Sequence, residues 1–173
     1  RLLYLSSGNI VGRLWSSETI ASSGLNLGDG RWHHVAYQYG AAIGGQRIYV
    51  DGVLVASGSK SSSDFNWQTE VVFGYTGDLG HLQGAMEDVS IWNSALPEAE
   101  VRALRTAALD GTEPGLMGLW RLAERTGSSV ADASNGLPGN VEGPTVWGTG
   151  AFGTLWTGIE TAYVLRSEEH TSE

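Results

Sequence analysis

The sequence predicts an all-β protein, a sandwich or barrel of antiparallel sheets, and three observations carry that prediction. Short apolar or alternating runs recur along the 173 residues, parted by Gly, Ser, Asn and Asp, which is the spacing of short strands joined by turns. Glycine is abundant, at 25 residues, and it adopts turn conformations that other residues resist. The stretch "RIYVDGVLVA" sets Asp51-Gly52 between two β-rich runs, a pair that favours a tight type I′ hairpin.

In chain order the strand-like runs are "RLLYL" (1–5), "IVGRLW" (10–15), "GLNL" (24–27), "WHHVAYQY" (32–39), "QRIYV" (46–50), "VLVAS" (53–57), "EVVFGY" (70–75) and "AMEDVSIW" (85–92). One short helix near 97–108 interrupts them, within "LPEAEVRALRTAAL". Pro97 suits the first helical position, where a missing N–H costs nothing. Glu98 and Glu100 lie near the positive end of that helix, and Arg102 and Arg105 towards the negative end. Val101, Leu104 and Ala108 share a face and are expected to dock against a sheet. The polar "DGTEPG" (110–115) reads as a linker. A second set of strand-like segments then begins with "LMGLWRL".

Composition narrows the function classes. The formal charge is −9 and Lys60 is the only lysine, so the basic cluster that tracks phosphates is missing and nucleic acid is not an expected partner. No apolar run approaches the roughly 20 residues of a membrane-spanning helix. With no cysteine, neither a disulfide framework nor a thiolate metal site can form. The chain opens at Arg1 without a signal-peptide pattern, and further residues are expected upstream. At the other end "TAYVL" passes abruptly into "RSEEHTSE" (166–173). That octapeptide resembles a translated sequencing adapter, and it carries no weight in the fold prediction.

His33 and His34 are adjacent, and neighbours on a strand point to opposite faces. They are therefore expected to be packed or hydrogen-bonded strand residues, not a metal or catalytic pair. The stretch that holds them, "GDGRWHHVAYQY…QRIYVDGVLVASG", resembles the laminin G-like, concanavalin A-like jelly-roll modules of bacterial surface and secreted proteins. The segment "LQGAMEDVSIWNSALPEAEVRAL" is similar to the closing signature of that family and of its pentraxin relatives. Its matches are Gly84, Met86, Glu87, Val89, Ile91, Trp92, Asn93, Leu96 and Val101. The resemblance covers about residues 1–109 and implies an antiparallel jelly-roll sandwich lacking its N-terminal strands. "GLMGLWRLAERTGSSVADASNGLPGNVEG" and "GTLWTGIETAYVL" resemble the opening of a second module. Residues 116–165 either begin that module or supply strands to the first.

The superfamily includes glucanases, which need two carboxylates about 5–5.5 Å apart for retaining hydrolysis. Glu87 and Asp88 are adjacent and face opposite ways, and Val89 to Trp92 supply no further acid, so no enzyme is expected. The pentraxin likeness raises calcium, for which "YTGDLGHL" offers Asp78, against the simpler reading of an Asx turn there. Asp132 and Asn135 in "VADASNG" have the same turn reading. Sugar could stack on an aromatic ring; Trp67, with Phe65, is the candidate in polar "SSSDFNWQTE", against a plug at the end of the sandwich. Trp32 and Trp92, within strand motifs, are expected in the core. The resemblance implies a non-catalytic recognition or adhesion module, secreted or at a cell surface, with a structural spacer in a tandem array as the alternative and a glycoside hydrolase fragment behind both. Its expected partner is a glycan, or else a cell-surface or matrix protein, with other modules of the same chain beside it.

Overall fold

The computed structural model describes residues 2–14, 18–63, 70–75, 81–134, 136–143 and 147–148, together with the backbone of Ala162–Leu165. Its strands are β1 (Leu3–Ser6), β2 (Asn9–Leu14), β3 (Glu18–Ala21), β4 (Val35–Gly40), β5 (Gly45–Val50), β6 (Val53–Gly58), β7 (Val89–Trp92), β8 (Leu116–Trp120), β9 (Ser129–Val130), β10 (Gly139–Asn140) and β11 (Ala162–Leu165). β1, β2 and β3 form a three-stranded antiparallel sheet. The larger sheet runs β6-β5-β4-β11-β7-β8, and β9 pairs with β10 separately. β11 lies parallel to both β4 and β7, whereas every other pairing in the large sheet is antiparallel.

Strand alternation explains why the large sheet is covered on both sides. Tyr37 and Tyr39 of β4 point to one face, with Ile48 and Val50 of β5. There they meet Ile10, Leu14 and Ile20 of the small sheet. Ala36 and Tyr49 point to the other face, where Trp92 and Leu119 join them beneath Leu96, Val101, Leu104 and Leu109. The sheets pack closely enough that a Cβ on Gly12 would fall 2.5 Å from the Tyr37 ring. A side chain at Gly12 would therefore push the sheets apart. The all-β sandwich with one helix is thus the observed architecture.

The Asp51-Gly52 turn takes the predicted form. Val50 pairs with Val53, and Asp51 (φ 52°) and Gly52 (φ 76°) both lie in the left-handed region that a type I′ turn requires.

Several boundaries differ from the sequence reading. The helix α1 (Glu98–Leu104) is shorter than 97–108, and Pro97 caps it from outside with extended ψ of 146°. Val101 and Leu104 are buried as expected, but Ala108 is exposed. The chain leaves the helix after Leu104, and Leu109 fills the core place instead. "GLNL" is a loop, not a strand: Asn9 Oδ1 accepts the Leu25 N–H at 3.3 Å, and Leu25 and Leu27 pack on the core from that loop. Residues 70–75 contribute only an isolated bridge between Tyr75 and His81, and 85–88 precede β7. β3 was not anticipated, because "ETIA" is too short to show alternation.

Candidate functional site

The two sequence motifs meet in space through one carboxylate. Asp51, in the β5–β6 turn, accepts the His34 backbone N–H at 3.0 Å and contacts His33 Nδ1 at 2.9 Å. Its own N–H donates to the His34 carbonyl at 2.8 Å. The histidine pair and the Asp-Gly turn are therefore two halves of one clamp. Asp29 closes it from the loop before β4. Its Oδ1 accepts the Arg31 N–H at 2.9 Å, an Asx turn, and lies 3.2 Å from His33 Nε2.

The histidines are not strand residues, because β4 begins at Val35, but their environments differ as expected. His33 is partly exposed between Asp29 and Asp51, whereas His34 is fully buried. Burial pulls His34 down to about 4, with Asp51 opposing and Arg105 assisting, so the ring is neutral at pH 7. Burial also disfavours charge on His33, but hydrogen bonds to Asp51 and Asp29 outweigh it and raise its pKa.

His33 also lines an open cleft of about 840 Å³. One wall is β1, with Leu3, Tyr4 and Leu5; another is the loop leading into β4, with Arg31, Trp32 and His33; the third is the segment from His81 to Glu87. Tyr4 and Trp32 are half-buried, so each keeps some surface open to solvent. Trp32 is thus not the core residue its strand motif suggested; it precedes β4 and sits on the cleft. Trp92 is in the core, 4% exposed, with Nε1 donating to Ser90 Oγ at 3.0 Å.

Trp67, Phe65 and Asp78 lie outside the described residues. Among the described residues no group of three His, Asp or Glu side chains could hold a metal ion. Asp132 is an Asx turn as read, accepting from Ser134 N–H at 2.8 Å and also from Leu119 N–H at 2.9 Å; Asn135 lies outside the described residues. Glu87 and Asp88 part as expected. Glu87 lines the cleft, whereas Asp88 is buried, 3.8 Å from Arg121. Burial pushes the Asp88 carboxyl up to about 6, with Arg121 opposing and Glu87 reinforcing.

Sequence reasoning missed Tyr4 and Asp29 beside the cleft, and it missed Glu18. Glu18 staples the sheets at the opposite end of β4. It accepts from Lys60 N–H at 2.7 Å, Ser59 N–H at 3.0 Å and Gln46 Nε2 at 2.5 Å, and Gln46 accepts from Tyr37 Oη at 2.5 Å. These donors, the Lys60 N–H foremost, hold the Glu18 carboxyl at about 2. The i, i+4 spacing of Asp29 and His33 was the available signal for the rim of the cleft.

No curated protein and no solved structure matches the chain. A family model described as the concanavalin A-like lectin/glucanases superfamily, in its laminin G group, matches residues 1–102. That match takes in both cleft-forming motifs and most of the chain, so the protein belongs to the laminin G-like family of the concanavalin A-like lectin/glucanase superfamily.

Proposed function

We propose that the chain is a non-catalytic recognition module of a secreted or surface protein, and that it holds a glycan in the cleft beside Trp32. The observation behind this reading is the cleft's composition. Two aromatic residues, Tyr4 and Trp32, stand in largely apolar walls with His33, Gln83 and Glu87 among them, the pairing of apolar platform and polar groups that suits a sugar. Among the described residues Glu87 is the one carboxylate on the cleft lining, whereas retaining hydrolysis needs two. The family is typically non-catalytic, although its superfamily includes glycosidases.

A glycan array tests the reading, probed with the full chain with and without calcium. Binding that Trp32→Ala abolishes supports it, and an array with no binding refutes it. Dependence on calcium would revive Asp78 as a ligand. A protein partner is the second reading, favoured by Val53 and Leu54, 62% and 42% exposed on β6 at the edge of the large sheet. The domain boundary is part of the same proposal. Pairing of β8 with β7 and of β11 with β4 and β7 supports residues 116–165 as completing the first module.

A further inference from the structure

We propose that His33 is a proton-operated latch on the rim of the cleft: its imidazolium ties residues 28–31 to the β5–β6 turn, and loss of one proton releases them. The inference rests on reading the cleft as the binding site, and it adds a control on that site.

The geometry is the argument. Both ring nitrogens face carboxylates, Nδ1 at 2.9 Å from Asp51 Oδ2 and Nε2 at 3.2 Å from Asp29 Oδ1. An ionised carboxylate only accepts hydrogen bonds, and a neutral imidazole has one N–H. Only the imidazolium donates to both. When the proton leaves, one nitrogen turns a lone pair towards a negative oxygen. Asp51 keeps its contact, because it is the shorter one and its other oxygen is anchored on the His34 N–H. The Asp29 contact is the one lost. Asp29 lies between Gly28 and Gly30, which together with Arg31 line the cleft, so its release frees that rim.

The charges around the latch come from every side. Arg31 Nε lies 3.8 Å from Asp29 Oδ2, and the buried His34 follows on the same segment. From beyond α1, Arg105 donates to the Asp51 carbonyl at 3.4 Å, and Glu87 stands across the cleft. Arg102 packs on Gly52 and is paired with Glu98. None of these replaces the Nε2–Asp29 bond. The raised pKa of His33 puts the release on the alkaline side of the ordinary imidazole value of about 6.5.

NMR titration of the full 173-residue chain is the test. The His33 ring is expected to titrate above about 6.5, and the amides of Gly28, Gly30 and Arg31 are expected to follow the same midpoint. Asp29→Asn preserves an acceptor for the Arg31 N–H but removes the charge; it should lower the His33 midpoint and uncouple the rim amides from it. A His33 midpoint at or below the ordinary value, or rim amides that ignore it, overturns the latch. The glycan array is then read at about pH 5.5 and about pH 8.5. A change of threefold or more in bound signal, lost in Asp29→Asn, extends the latch to binding. Equal binding at both pH values overturns that control. If no glycan binds at either pH, the binding reading fails, while the NMR titration still judges the latch.

Discussion

Replacing Asp51 separates two things that this residue does at once. It occupies a left-handed turn position, φ 52°, and its carboxylate holds the start of β4 through the His34 N–H and the His33 ring. Asp51→Asn keeps both the turn tolerance and an oxygen for the His34 N–H, so its cost is expected to stay within about 1 kcal/mol. Asp51→Gly keeps the turn and removes both side-chain bonds. The contact to His33 is partly exposed and contributes about 0–1 kcal/mol. The His34 N–H sits beside a fully buried side chain, and leaving such a donor unmatched costs about 1–3 kcal/mol. Losing both bonds is therefore expected to cost about 2–3 kcal/mol. Asp51→Ala should show that full loss, because Asp51 already holds a Cβ in the left-handed region; Asp51→Gly sheds that Cβ and should fall about 1 kcal/mol short of it. Urea denaturation at pH 7 checks the order Asn, Gly, Ala through the transition midpoints, provided the slopes agree. A glycine variant as stable as the parent would refute the clamp. An alanine variant equal to the glycine one would refute the backbone argument.

Four further outcomes are expected. Because Asp88 is raised to about 6 from 3.8, the folded state holds its proton more tightly than the unfolded chain does. Its stabilisation is therefore full below about pH 4 and falls as pH rises through 6. Asp88→Asn should raise Tm by several degrees at pH 7.5 and leave it unchanged at pH 3.5, as calorimetry would show. His34 works in the opposite sense: its neutral form is stabilised above about 6.5, and that contribution is lost as pH falls through 4. In Asp88→Asn the acid loss due to His34 is no longer opposed, so a steeper fall in Tm between pH 6.5 and 4 is expected. Gly12→Ala places a Cβ 2.5 Å from the Tyr37 ring and should cost about 1–3 kcal/mol in urea. Limited proteolysis should leave residues 1–165 resistant around 110–115; early release of a stable fragment ending there would count against β8 belonging to the first module.

The cleft was only partly legible in the sequence, and particular residues show why. Asp51 was readable as a turn residue, because a turn is a local property of two φ angles. Its second role, receiving a hydrogen bond from His34, depends on β4 and β5 lying side by side, and local sequence does not state that. Trp32 follows the same logic. Its strand-like neighbours suggested burial, yet it precedes the first paired residue of β4 and stands on the cleft. Glu18 carried no signal at all, since its partners Ser59 and Lys60 are 41 and 42 residues away.

By itself the sequence determined the all-β class, the Asp51-Gly52 turn and the existence of α1. Each follows from a period of two or about 3.6 residues, or from the φ preferences of one or two residues, which act over a few positions. Only the tertiary structure decided where the helix stops, that Trp32 is half-buried on the cleft, and that Asp29, His33 and Asp51 form one bridge at its mouth. Those depend on which strands pair and which faces meet, and the burial and charge that set them come from residues far apart in the chain.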